Sequence, residues 1–384
     1  VFADFQLEIY ARGLAGDTPS LPLGEGELEE LARERLSPEA FAYVAGGAGA
    51  ERTMRSNRQA FERWRIVPRM LRDVSVRDLS TTVLGTEMPA PVLLAPVGVQ
   101  SIVHPEGELA AARAAAAQGL AFIASTAASH TLEEIARELG EGSRWYQLYW
   151  PKDRELARSF LDRAAATGYG AVVVTLDTWL LGWRPRDLQH AYLPFLRGEG
   201  VANYFGDPVF RAALERPPEE DPGPAIGRWA HQFANPSVTW EDLDWLREQT
   251  SLPIVLKGIL HAEDARRAAA SGVDGLIVSN HGGRQVDGSI GALEALPAVR
   301  EAAGDLVVLF DSGIRTGADV FKALALGAQA VCVGRPYVWG LGIEGQAGVE
   351  QVLRCLLGEL DLTLALSGYT AIDQLGPGAL VAGD

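Results

Sequence analysis

Eight short apolar runs, most of them one strand-plus-helix unit apart, constrain this chain more than any other feature. They are VLLA at 92–95, AFIA at 121–124, YQLY at 146–149, AVVV at 171–174, IVL at 254–256, LIV at 276–278, VVLF at 307–310 and AVCV at 330–333. As a set they lack the polar–apolar alternation of a strand with one wet face, as expected of a parallel sheet covered on its outside. Helical patterns separate them: GELAAARAAAAQ, TLEEIARELG, DRELARSFLDRAAATG and AEDARRAAASG. Thr131 and Glu134 open the second of these as a capping-box pair. Successive run ends lie roughly 22–32 positions apart, except about 80 between the fourth and fifth. Eight such units predict an α/β chain closed into a (β/α)8 TIM barrel over residues 91–384.

The excess falls at 180–236, a long insertion after strand 4. LPFLRGEGVANYFGDPVF reads as an ordered lid and ERPPEEDPGP as a solvated loop behind it. Residues 1–90 precede the barrel and read as a helical segment packed on it, with helical spacing from Leu28 to Ala45. Gly345 to Leu364 reads as a closing helix.

Fifty acidic against thirty-four basic residues give a net charge of −16, which repels polyanions and argues against a nucleic-acid partner. An anionic substrate must then be held by a few placed cations, so individual arginines matter. Only two cysteines are present, Cys332 and Cys355, so neither a disulfide framework nor a thiolate metal site is expected. No run approaches the roughly 20 apolar residues that span a bilayer, and no signal pattern opens the chain. The expectation is a cytoplasmic protein without a membrane partner.

Polar residues gather where the apolar runs end: Pro96 to Gln100, Ser125, Gln147 and Tyr149, Thr175 and Asp177, Lys257, Ser279 to Arg284, Asp311 to Arg315, and Gly334 with Arg335. In a parallel barrel these positions converge on the face that carries active sites. Any one of them serves equally well as a strand or helix cap; eight together do not. FDSGIRTGADV and VGRP place glycines and two forked guanidinium groups after strands seven and eight, where barrels bind phosphate. In SNHGGRQVDG, His281 and Arg284 stand three apart in a glycine-flanked loop, so the arginine can take a carboxylate and the histidine the neighbouring carbinol. Asp177 is available to fix the imidazole tautomer. No HExxH or Cys/His spacing accompanies it, so no metal is expected. Lys257 in PIVLKG suits either a Schiff-base nucleophile or a fixed cation beside an electron-rich cofactor.

These motifs resemble the FMN-dependent 2-hydroxy acid oxidase and dehydrogenase family, over about Tyr43 to Tyr369; SNHGGRQ, DSGIRTGADVFKALALGA and GRP carry the likeness. The resemblance implies FMN as cofactor and His281 as catalytic base, with Asp177 its partner. It implies Arg284 and Tyr43 at the substrate carboxylate and Tyr149 facing the substrate. Lys257 would lie at the flavin N1/O2 edge, which favours the cation over the Schiff base. Val97 and Gly98 would meet the flavin through their backbone, with Ser125, Gln147, Thr175 and Ser279 around the ring and ribityl chain. Asp311, Gly313, Arg315, Gly334 and Arg335 would hold the ribityl-phosphate end.

Within the family, GWRPRDL, AYLPFLRGEGVANYF and DPVFRAALERPPEEDP are most similar to lactate 2-monooxygenase. That likeness implies L-lactate and O2 as substrates, with acetate, CO2 and water as products. Arg184 would guide anions or the histidine partner, and Tyr192 and Tyr204 would be lid residues over the substrate. The alternatives are an oxidase releasing a 2-oxo acid and H2O2, or a dehydrogenase with another acceptor. Ala127 stands where glycolate oxidase has tryptophan, and Gly98 where that enzyme has alanine beside flavin N5. A homo-oligomer, tetramer or octamer, is implied by the resemblance alone.

Overall fold

All eight apolar runs form parallel strands, and the strands close on one another. In the computed structural model, which describes residues 1–383 and so leaves Asp384 of the expected barrel unit outside, they are β1 (Val92–Leu94), β2 (Ala121–Ser125), β3 (Arg144–Leu148), β4 (Val172–Thr175), β5 (Ile254–Ile259), β6 (Gly275–Val278), β7 (Val307–Phe310) and β8 (Ala330–Val333). Each pairs with its sequence neighbours, and β8 pairs with β1, aligning Cys332 with Leu93. The runs are apolar throughout because both faces are buried. Leu93, Ile123, Trp145, Val173, Val255, Ile277, Leu309 and Cys332 fill the barrel interior, while Leu94, Phe122, Tyr146, Val174 and Leu256 pack in the core beneath the helices. Each fully buried Leu, Val or Ile contributes roughly 1.5–3 kcal/mol of transfer free energy, so closure buries two cores with one sheet.

The capping box forms as expected: Thr131 accepts from the Glu134 amide while Glu134 Oε2 accepts from the Thr131 amide. Residues 1–90 are more than a helical segment. Leu28 to Ala45 is two helices, Glu25–Arg35 and Pro38–Ala45, because Ser37 caps the second and Pro38 occupies its first turn. A hairpin, Thr81–Val83 with Thr86–Met88, closes the bottom of the barrel: Val83 and Met88 join the interior core, and Thr86 Oγ1 accepts from Trp145 Nε1 at 2.9 Å. The closing helix runs from Arg335 to Leu366 and breaks at Glu344 and Gly345, so its second half begins where the sequence places it.

The insertion is largely helical. After short turns at Pro185–Gln189, Pro194–Arg197, Ala202–Phe205 and Pro208–Ala212, the end of the expected solvated loop becomes a helix, Pro222–Phe233, with Pro222 at its first position. The stretch before it, Glu215 to Pro217 with Glu219 and Glu220, lies open to solvent. Trp229 stacks on Phe195 and packs against Phe233, at 5.0 and 5.2 Å between ring centroids, so the insertion has its own aromatic core. No helix among the described residues is long and apolar enough to cross a membrane.

Candidate active site

One cavity opens at the C-terminal ends of the strands, and its lining draws on almost every loop there. The backbone of Ala95 to Gly98 forms one wall; Gly313 to Arg315 with Gly334 and Arg335 forms another; Tyr43, Tyr149, Lys257, His281 and Arg284 face the space between. The turns that shape it are conformationally costly. Val99, His281 and Ser312 have φ of 51°, 57° and 83°, a region non-glycine residues seldom enter, and they sit in the loops after β1, β6 and β7. Gly313 at φ 104° needs the absence of a side chain.

His281 Nδ1 lies 2.7 Å from Asp177 Oδ1. A carboxylate acceptor at that distance puts the imidazole proton on Nδ1 and leaves the Nε2 lone pair free as a base. Burial lowers the imidazole pKa below its usual value, only partly offset by Asp177. Burial works the other way on Asp177, but the positive charges of His281 and Lys257 and bonds from His281 and Thr178 outweigh it and hold the carboxyl at about 2. Lys257 is buried too, yet Asp311 and Asp177 overcome the desolvation and raise its pKa, so it stays a cation. Its Nζ donates to Ser279 Oγ at 3.0 Å and pairs with Asp311 Oδ2 at 3.2 Å.

Arg284 donates to the carbonyls of Tyr43 and Gly46 at 2.7 and 2.6 Å, tying the catalytic loop to the end of the helix Pro38–Ala45. Burial and the neighbouring Arg184 lower its pKa to about 10, so an incoming carboxylate relieves an existing penalty. Tyr149 is pushed up to about 12 and Tyr43 upward, both mainly by burial, so both hydroxyls are protonated donors.

The phosphate end fits an anion. Arg335 donates only to the carbonyls of Val44, Gly46 and Gly282 and to Met54 Sδ, and burial together with Arg284 and Arg315 drives its pKa well down. A desolvated guanidinium without a carboxylate is a cost that a bound phosphate removes. Among the described residues the backbone amides of Gly313, Ile314, Gly334 and Arg335 have no acceptor, and all four residues line the cavity. The residues present therefore fit FMN: these amides and arginines would hold its phosphate, and Val97, Gly98 and Lys257 line the space its ring would take. Arg315 also contacts Glu25 of the N-terminal segment.

Four expected cofactor residues sit beneath the lining. Ser125, Gln147, Thr175 and Ser279 are buried; Ser125 Oγ donates to Gln147 Oε1 at 2.9 Å and Gln147 Nε2 to Thr175 Oγ1 at 3.0 Å. Gly98 is small for a reason of its own: a Cβ there would meet the Ala127 carbonyl oxygen at 2.7 Å, so the pair Gly98 and Ala127 sets how closely the first two loops approach. Arg184 lines the cavity, 6% exposed, and donates to the Arg284 carbonyl and Gln285 Oε1.

Tyr204 is a correction. It is 0% exposed, packed on Phe160 and Phe210 at 5.0 and 5.6 Å, and absent from the cavity lining. The short helix Ala202–Phe205 turns it into the core of the insertion. Tyr192 stands behind Tyr43, edge-on at 6.4 Å, and it too does not line the cavity. The lid residues that do, besides Arg184, are Leu181, Phe195 and Phe233. Sequence reasoning passed over these and Thr178, whose Oγ1 donates to Asp177 Oδ1 at 2.9 Å. The signal for Thr178 was its place beside Asp177; the phenylalanines were indistinguishable from core residues.

Comparison with known proteins agrees with this geometry. A profile of the FMN-dependent dehydrogenase family matches residues 32–382. The chain is 45% identical, over 97% of its length and 94% of the relative's, to the FMN-dependent alpha-hydroxy acid dehydrogenase qulF of Penicillium citrinum. It is 43% identical to an L-lactate oxidase of Lysinibacillus sphaericus, covering 98% of this chain and 97% of that one. A crystal structure of mandelate oxidase matches with a TM-score of 0.83 at 39% identity, over 94% of this chain and 99% of that chain.

Proposed function

Since the chain belongs to the FMN-dependent dehydrogenase family and is an FMN-dependent oxidoreductase of 2-hydroxy acids, we propose that it oxidises L-lactate, or an L-2-hydroxy acid of similar size, with O2 as acceptor. The observation that carries this reading is a base and a carboxylate clamp in one buried cavity: His281 with Nε2 free, beside Arg284 and Tyr43.

Arg284 and the Tyr43 hydroxyl hold the substrate carboxylate, which fixes the carbinol next to His281. His281 takes a proton from the substrate at Nε2, and Asp177 steadies the imidazolium through Nδ1. Tyr149 donates its protonated hydroxyl within the same cavity. Val97 and Gly98 would meet FMN through their backbone, and Arg315, Arg335 and the free amides would anchor it; bound there, it would supply the two-electron acceptor. Lys257 places a fixed positive charge on the cofactor side, and its raised pKa speaks against a neutral Schiff-base nucleophile.

The insertion bears on what leaves the site. With Leu181, Arg184, Phe195 and Phe233 in the cavity wall, the lid supports retention of pyruvate long enough for hydrogen peroxide to decarboxylate it, giving acetate, CO2 and water. The second reading is release of pyruvate and H2O2, favoured by the likeness to the Lysinibacillus sphaericus L-lactate oxidase. Following acetate, pyruvate and peroxide together under air, with and without catalase, separates them. Catalase-insensitive acetate supports retention, and stoichiometric pyruvate with peroxide supports release. If L-lactate fails while another L-2-hydroxy acid bleaches the flavin, only the substrate is corrected.

A further inference from the structure

Thr178 directly follows Asp177 in the chain and lines the cavity from the segment between β4 and the insertion. Its side-chain oxygen stands at one corner of a triangle: 2.9 Å from Asp177 Oδ1 and 3.1 Å from His281 Nδ1, with the third side, Asp177 Oδ1 to His281 Nδ1, at 2.7 Å. One carboxylate oxygen therefore receives two donors. The other, Oδ2, is buried without a hydrogen-bond partner and lies close to Gly258, where a Cβ would come within 3.1 Å of it. Gly258 has φ 114°, at the irregularity within β5, so the strand backbone approaches the carboxylate with no side chain between.

From this geometry we propose that Thr178 is a positioning residue for the proton-abstracting step: its hydroxyl competes with His281 for Asp177 Oδ1 and so limits how strongly the carboxylate draws the imidazole proton. The competition bears on His281 because Oδ2 has no hydrogen-bond donor, so the shared oxygen carries both bonds. A carboxylate whose lone pairs on one oxygen are unshared is a strong partner for an imidazolium, and a strong partner keeps the histidine protonated when it must be a neutral base. A hydroxyl donating to the shared oxygen weakens that pull, since a hydrogen bond to a charged acceptor is stronger than one between neutral groups. It also fixes the carboxylate against rotation, because Oδ2 has no anchor. The Thr178 bond is among the influences that hold Asp177 low.

Other charged groups face His281 and are unchanged by substitution at 178. Lys257 on β5 and Arg184 on the insertion both disfavour the imidazolium. Arg284 on the same loop, Tyr149 after β3 and Tyr43 on the helix Pro38–Ala45 share the cavity. A change at 178 is thus read against a constant background.

This inference rests on His281 being the base in the proposed reaction, so two readouts are used. The first is the acid limb of kcat/KM for anaerobic flavin reduction in the holoenzyme, with whichever L-2-hydroxy acid bleaches the flavin. The isosteric T178V should move the limb upward by about 0.5–1 pH unit, and T178S should leave it in place. The second needs no turnover: 15N-histidine NMR of the holoenzyme, whose six histidines make the His281 signal assignable by its loss in H281Q. The imidazole pKa should rise in T178V and not in T178S. An unmoved or lowered His281 pKa in T178V, or an equal rise in both variants, overturns the proposal. A shifted NMR pKa without any bleaching by hydroxy acids leaves Thr178 in its role and overturns the reaction instead.

Discussion

The pairing of His281 with Asp177 decides which nitrogen is the base, and that makes the residue scale testable. His281→Gln should keep the fold and the bound flavin but slow flavin reduction by about 10²–10⁴-fold, as removal of a general base does; near-normal anaerobic bleaching would falsify the assignment. The pH dependence has a definite sign. Burial pushes the imidazole below 6.5, and the base works when neutral, so kcat/KM should hold as pH falls through 6.5 and drop only below it. A limb above 6.5 would mean that Asp177 outweighs burial. Tyr204 supplies a contrasting case: its hydroxyl is buried without a partner, so Tyr204→Phe should raise stability by about 1 kcal/mol in chemical denaturation and leave kcat/KM unchanged. The residues of the proposed catalytic step were legible because histidine, arginine and lysine at strand ends have few structural uses. Tyr204 was misread because an aromatic residue in a lid sequence carries no mark of which way it faces. Thr178 was missed because a threonine after an aspartate has many ordinary roles.

At the scale of elements, strands were readable and the insertion was not. Eight apolar runs announce eight strands because a strand buried on both faces has no alternative reading, whereas the helix Pro222–Phe233 begins within a proline-rich acidic stretch that composition assigns to loop. Its helicity depends on tertiary packing: Trp229 and Phe233 bury against Phe195, and Gln232 accepts from the Asp153 amide at 2.8 Å. Trp229→Ala removes the centre of that stack and should destabilise the insertion by about 3–5 kcal/mol while the barrel stays intact. Hydrogen exchange should then rise in 185–235 and stay low in the strands, and KM should rise more than flavin affinity falls. If the lid retains pyruvate, the same variant should release more pyruvate per acetate; an unchanged ratio would remove retention from the lid's account.

On the whole molecule the charges are arranged against each other: a chain of net charge −16 encloses a cavity walled by Arg184, Lys257, Arg284, Arg315 and Arg335. Lys257 has its counter-charge in Asp311, but Arg335 has only neutral acceptors, three carbonyls and Met54 Sδ, and its guanidinium is destabilised by burial and by two neighbouring arginines. The fold thus carries a desolvated positive site at the end of β8, where the strand leads straight into the long helix that closes the barrel. Filling that site should stabilise the whole barrel rather than one loop, because β8 pairs with both β7 and β1. Removing FMN should lower the melting temperature, and returning it at 100 times its dissociation constant should restore about 2.7 kcal/mol, or roughly 3 °C for a chain of this length. The phosphate is the decisive part. If Arg335, Arg315 and the free amides bind it as argued, FMN should stabilise far more than riboflavin at equal saturation of the ring site, and inorganic phosphate alone should give part of the gain. Arg335→Met keeps much of the buried stem and removes the charge, so its flavin-free form should melt higher than the flavin-free wild type and gain little from phosphate. Equal stabilisation by riboflavin and FMN would place the binding energy on the ring and leave the buried guanidinium without its counter-ion.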